Sequence, residues 1–379
     1  MSPSYELHSF HMNIGVGDGS LHILVDTAAK TKTGSCGTIQ RTILIDSGKQ
    51  KNGPVSCIES TMKKIMTDYD LPEGDGNLKL DAAIITHWDA DHYKTLIFLL
   101  RKYKSDLETK KVQFLRYDKD GNPITVMYVP SWPSKMKKKD SEGPQQYLES
   151  ELVEATGKTV MKVNPGGTES AHRGKWPAAF VLVEGTANLL GRDVLWNDDM
   201  DPFGWQQTIY SPQKLVAKVP PKFEGGPGVY CIAVNGVVLG QQRGVLNDVQ
   251  VNCRSARKPP GVVDIVDGQS ATKTGNPAYE TNVVSICCMV IWKNSSSVRL
   301  SHFLGGDAVW NLEKIIMSWV GSERVAAMKI SHHGSAGSTP LEMVDSFEPK
   351  TMVISSSTMY GHPSKTSPKR PPLRARTQL

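Results

Sequence analysis

The short run Ala82–Thr86 passes without a spacer into His87-Trp88-Asp89-Ala90-Asp91-His92, and this junction constrains the chain most. A brief, mostly apolar run bounded by polar residues reads as a buried strand. The six residues after it hold four side chains able to ligate a metal: His87, Asp89, Asp91 and His92. A loop whose aspartates merely cap the next helix would explain one carboxylate, not the whole strand-HxDxDH-helix pattern. A tight loop can turn the first pair of ligands towards one ion and the second pair towards another. Imidazole and carboxylate donors together suit zinc, manganese or iron.

Three more loops repeat the theme. Val298–Leu304 reads as a strand and ends at Gly305-Gly306-Asp307. Val325–Ile330 runs into Ser331-His332-His333-Gly334-Ser335, and Thr351–Ser355 runs towards Tyr360-Gly361-His362-Pro363. Strand ends are where α/β scaffolds place functional groups, so four such loops form a pattern where one would mean little. A carboxylate at Asp307 can bridge two ions. One histidine of the pair can complete the second ion, and the other can hydrogen-bond or protonate a leaving group. His362 fits a turn as well as it fits a site.

Around these loops the flanks are regular. His8–Asn13, Leu21–Asp26 and Thr42–Asp46 read as an antiparallel meander with a glycine-rich turn, Gly15–Gly19, after its first strand. Ser56–Tyr69 carries Cys57, Ile58, Met62, Ile65 and Met66 at helical spacing, and Leu96–Tyr103 also reads as helix. Val283–Trp292 is strongly β, and Trp310–Val320 reads as helix. The middle is different in character: rich in Gly, Pro, Trp and charge, with β-like pieces at Gln113–Tyr117, Thr125–Val129, Ala179–Val183, Val229–Val234 and Val237–Leu239. Asn235-Gly236 between the last two is a hairpin signal. The chain therefore divides into 1–104 and 281–363, two halves of one α/β domain, with an insertion or cap at 105–280. Residues 364–379 form a basic, Pro-rich tail expected to be disordered.

Composition narrows the class. The 379 residues are 39% hydrophobic and 22% charged, which excludes collagen-like, coiled-coil and wholly disordered chains. No apolar run approaches the ~20 residues of a membrane span. The first residues lack a basic segment followed by an apolar one, so an intracellular, cytoplasmic location is expected. Six Cys are too few for a disulfide framework, and adjacent Cys287 and Cys288 read as buried free thiols. The net charge of +6 has clusters at Lys135, Lys137, Lys138 and Lys139 and at Lys365, Lys369, Arg370, Arg374 and Arg376. Such clusters admit a nucleic-acid or other anionic partner, although solvated loops carry them as readily.

Taken in order, the motifs resemble those of the metallo-β-lactamase superfamily over residues 5–103 and 280–363. His87-x-Asp89-x-Asp91-His92 is similar to that superfamily's HxHxDH loop, with Asp89 in place of the second His. The branch most similar is the metallo-β-lactamase domain of competence-type DNA-uptake channel proteins and their free-standing relatives. The likeness rests on Gly15-Val-Gly-Asp-Gly19, Ile43-Leu-Ile-Asp-Ser-Gly48, Asn282-Val-Val-Ser285, Gly306-Asp-Ala308, Ser331-His-His-Gly-Ser335 and Tyr360-Gly-His-Pro363. The resemblance implies an αββα sandwich with a dinuclear metal site at one edge. It implies His87 and Asp89 on the first ion, Asp91, His92 and His333 on the second, and Asp307 between them. His332 is left to face substrate. The superfamily brings another His to the first ion where this chain has Asn282 and Ser285, so that ion is expected to be weaker or completed by Asn282. Asp89 makes the site harder, which moves the expected metal from zinc towards manganese or iron.

The chemistry expected of such a site is hydrolysis by a metal-activated hydroxide, with Asp91, His332 or His362 assisting proton transfer. Two substrate classes compete. A phosphodiester or phosphoester fits the branch and the basic clusters. A thioester, ester or lactone fits the wider superfamily and a Trp-rich cap. A non-catalytic metal-stabilised scaffold, or a non-hydrolytic metalloenzyme, is the reading from another class.

Overall fold

The computed structural model describes residues 5–28, 37–49, 52–69, 78–103, 112–117, 125–130, 148, 150–151, 154, 160–163, 179–184, 227–234, 237–238, 282, 285–293, 298–320, 324–356 and 363. His362, the two basic clusters and, in the Trp-rich middle, Trp196 and Trp205 lie outside them.

The architecture is mixed α/β, with two mixed sheets. The meander forms as its sequence suggests: β1 (Tyr5–His11), β2 (Gly19–Asp26) and β3 (Thr38–Ser47) pair antiparallel in turn. Then come α1 (Gly53–Asp68), β4 (Ala82–Ile84), α2 (Ala90–Lys102) and β5 (Val126–Pro130). Strands β3, β4 and β5 are parallel. Two strands from the middle of the chain, β6 (Val160–Val163) and β7 (Ala179–Glu184), complete a seven-stranded sheet in the order β1-β2-β3-β4-β5-β7-β6. The second sheet begins with β8 (Pro227–Val234) and β9 (Val237–Val238), followed by β10 (Cys287–Lys293) and β11 (Val298–Leu304). After α3 (Trp310–Val320) come β12 (Ala327–Lys329), α4 (Leu341–Phe347) and β13 (Thr351–Val353). Its order is β13-β12-β11-β10-β8-β9, with β11, β12 and β13 parallel. The middle segment thus lends strands to both sheets.

Burial explains the layering. In β2, Leu21, Ile23 and Val25 share a core with Ile58, Met62 and Ile65 of α1 and Leu96, Leu99 and Leu100 of α2. In the second sheet, Cys287, Met289, Leu300 and Phe303 share a core with Leu312 and Ile316 of α3 and Met343 and Phe347 of α4. The strands alternate sides, so His22 and Leu24 of β2 are equally buried on the other face. That face meets the second sheet: the rings of His11 and His22 lie 5.2 and 6.1 Å from the ring of His302 on β11. Cys287 and Cys288 are free, buried thiols, as expected. No helix among the described residues is long and apolar enough to cross a membrane.

This topology sets the site. Parallel strands point their C-terminal ends the same way, and open α/β sheets use that edge for ligands. Asp46 closes β3, the HxDxDH loop follows β4, Asp307 follows β11, His332 and His333 follow β12, and Ser355 follows β13.

Candidate metal centre

Three imidazoles form the centre, and each is anchored through Nδ1. The Nδ1 of His87 lies 3.2 Å from the Thr86 hydroxyl, and that of His92 lies 2.8 Å from Oδ2 of Asp46. His333 donates from Nδ1 to the Ser355 carbonyl at 2.8 Å, with Oδ1 of Asp18 3.3 Å away. Their Nε2 atoms are buried and make no hydrogen bond, as does Oδ1 of Asp307. All three face Asp307, at 3.5 Å from His87, 3.4 Å from His92 and 3.6 Å from His333. Ligands held about 2.1 Å from a tetrahedral ion stand about 3.4 Å from one another. The spacing is too long for hydrogen bonds and right for a shared cation. A buried polar atom without a partner is costly, and these four lie around Asp307 where a cation could satisfy them.

The ligand atoms form overlapping groups. His87, His92 and Asp307 make one, Asp91, His92 and His333 a second, and Asp18, Asp307 and His333 a third, with all atoms of a group within 4.8 Å. Asp18, Asp46 and His92 make a fourth. Several groups here could therefore hold a metal ion. Of the sequence-derived ligands, His87, Asp91, His92, Asp307 and His333 fall in these groups, and Asp89 lies beside them without joining one. Asp89 occupies the N-cap position of α2 but makes no capping bond with its side chain, and its Oδ2 lies 3.8 Å from Nε2 of His87. Oδ2 of Asp91 lies 3.5 Å from Nε2 of His333. His332 is more exposed than His333, with its Nε2 3.8 Å from Asp307. The buried Asn282 reaches the His332 ring instead, with Nδ2 3.4 Å from Nδ1. Ser285 is wholly buried and its Oγ makes no hydrogen bond.

The electrostatics set burial against close opposite charges. Burial alone would push the Asp307 carboxyl up, yet His92, His333, His87 and His332 reverse this and hold it well below the ordinary range. Burial disfavours charge on His92, but Asp307 and Asp46 raise its pKa well above the usual value. His333 rises to about 10 against the same penalty, through Asp307 and Asp18. His87 goes the other way, to about 3, because of burial and neighbouring His92. Asp91 falls to about 2, since the His333 imidazole 3.5 Å away and the charge of His92 outweigh burial.

In the metal-free protein at neutral pH, His92 and His333 thus carry protons that an ion must displace. Metal uptake near pH 7 should release about two protons, read from calorimetric heats in buffers of different ionisation enthalpy. The stability linkage has a definite sign. His333 titrates at 6.5 when unfolded and at about 10 when folded, so its stabilisation is full below pH 6.5 and lost as pH rises through about 10. Denaturant titrations of metal-free protein should show that decline. Metal-loaded protein should not show it.

The turn that delivers the histidine pair is unusual. His332 and His333 both have left-handed backbones, at φ 46° and 53°, which β-carbon-bearing residues seldom adopt. Such strain persists where surroundings over-determine it, commonly at functional sites. Here Ser331 N donates to Thr339 Oγ1, and His332 N donates to the Gly306 carbonyl.

Four contributors carried no site role in the sequence reading: Asp18, Asp46, Thr86 and Lys329. Asp46 had the signal of a carboxylate ending an apolar run, as Asp307 follows one beyond β11. Asp18 stood in the glycine-rich turn.

No protein-family model matches the chain. Over 90 residues the chain is 32% identical to ComE operon protein 3 of Bacillus subtilis (strain 168). The match covers 23% of this chain and 11% of that protein, so the chain spans about a tenth of that relative's length.

Proposed function

We propose that this chain is a metal-dependent hydrolase of the metallo-β-lactamase fold, acting on phosphodiesters or phosphoesters. The carrying observation is the set of three anchored imidazoles whose bare Nε2 atoms face Asp307 at ligand spacing. Two facing sheets, each sharing a core with its own helices, support the αββα sandwich, and the motif order and the match to ComE operon protein 3 support the branch.

His87, Asp89, Asp91, His92, Asp307 and His333 would hold two divalent ions, zinc, manganese or iron. Bound there, such ions supply an acidified water and neutralise negative charge developing on an ester. The rest falls to the chain. Asn282 places its Nδ2 beside Nδ1 of His332, and in the tautomer this favours the His332 proton is on Nε2, facing the centre. His332 then donates to a bound phosphoryl oxygen or to the leaving group. Thr86, Asp46 and the Ser355 carbonyl hold the three imidazole tautomers, as outer partners of metal-ligating histidines do.

The test is turnover by metal-loaded protein on bis(p-nitrophenyl) phosphate beside a thioester and a lactone of similar size. Phosphodiester cleavage that chelator stops and added metal restores is the expected result. Cleavage of the thioester or lactone alone would move the reading to small-molecule esters. No turnover on any of them, with metal bound, would leave a scaffold.

A further inference from the structure

Lys329 is a buried lysine in the middle of the site, and the hydrolytic scheme does not use it. It ends β12, three residues before His332. Its ammonium pairs with the Asp18 carboxylate and donates to the Gly306 carbonyl at 3.2 Å. Each partner leads to the centre. Gly306 precedes Asp307, and its carbonyl also accepts from His332 N–H at 3.0 Å. Asp18 faces His333 Nδ1 with its other oxygen, and its N–H donates to the carbonyl of Asp91 at 3.2 Å. One ammonium therefore ties together the loops that carry Asp18, Asp91, Asp307 and the histidine pair.

The charges agree with this. Asp18, Asp46, Asp89, Asp91 and Asp307 put five carboxylates around the centre, whereas two divalent ions bring four positive charges. A buried site far from neutrality is costly, and Lys329 supplies the missing charge. Asp18, Asp46 and His92 also form a group that could take a cation of its own. The ammonium of Lys329 is already paired with Asp18 there.

We propose that Lys329 and Asp18 are a positioning pair: a fixed internal cation and its carboxylate that hold Asp307 and His333 in ligating geometry. This rests on the metal reading above. It predicts that affinity for metal and stability of the fold separate when the pair is removed as a pair. Deleting one partner strands a buried charge, whereas replacing both with neutral groups of similar volume is often tolerated.

The experiment is chelator competition with Zn²⁺ and with Mn²⁺ on the folded full chain, wild type against the Lys329→Met/Asp18→Asn double variant. The melting temperature of each metal-free protein is measured in parallel. The double variant should melt near wild type yet bind metal roughly 10–100-fold more weakly, the range for lost outer-sphere partners. Lys329→Gln/Asp18→Asn, which also removes both charges but lets the two neutral side chains hydrogen-bond each other, is the second variant should the first double not fold, and the same loss is expected. Wild-type affinity in the folded variants overturns the positioning role and leaves the metal reading intact. A wild-type protein that takes up no ion overturns both.

Discussion

Asp307→Asn should empty the metal centre. The carboxylate faces all three bare Nε2 atoms, more of the site than any other single residue contacts among the described residues. Loss of an outer partner costs a metal site about 10–100-fold. Loss of a ligand shared by two ions should exceed that, and metal-dependent turnover should fall to background. The variant should still fold, because Asn keeps the shape of Asp307 and both apolar cores keep every side chain. Metal content and circular dichroism on the same sample check this. Full metal content in the variant would remove Asp307 from the centre, and an unfolded variant would make the ions structural.

Gly17→Ala should be the most damaging small change outside the ligands. Gly17 has φ +97°, and an added Cβ would stand 1.8 Å from the backbone oxygen of Asp91. That oxygen accepts the Asp18 N–H, so neither side can yield without undocking the 15–19 turn from the HxDxDH loop. The left-handed strain and the clash together should cost about 3 kcal/mol. Metal affinity should drop as well, because Asp91 and Asp18 move apart. Gly15→Ala is the control: its φ is +78°, but no atom lies within 4 Å of a Cβ there, so it keeps the strain and lacks the clash. Equal losses in the two variants would show that strain alone matters at this turn.

Much of the scaffold was legible because its signals are local. The meander, α1, β11 and α3 follow from apolar spacing and fall within a few residues of the expected bounds. Helix α2 was read from Leu96, yet it begins at Ala90. Its first turn turns Asp91 and His92 towards the metal centre, and site residues break the apolar rhythm that marks a helix. Strand β10 was read over Val283–Trp292; residues 283 and 284 lie outside the described ones, the strand is Cys287–Lys293, and Ile286 just before it donates to the Thr86 carbonyl. The seven-residue helix α4 was not read; it is too short for a clear periodicity and follows Pro340.

The site divides along the same line. Ligands clustered in one loop or following a strand directly could be read from spacing. The left-handed backbones of His332 and His333 could not, since nothing in Ser-His-His-Gly specifies them apart from the Gly306 and Thr339 contacts. Asp46 meets His92 across 46 positions, and Lys329 meets Asp18 across 311. Such partners are set by the closing of the two sheets and leave no trace in local pattern.

The most direct test of the central claim is elemental analysis of the purified full chain after reconstitution with zinc or manganese and removal of loose ions. The account predicts about two equivalents of divalent metal per chain, lost on treatment with a strong chelator and regained on adding metal back. Protein that holds no metal under any of these conditions would contradict it. The buried Nε2 atoms of His87, His92 and His333 would then need another occupant.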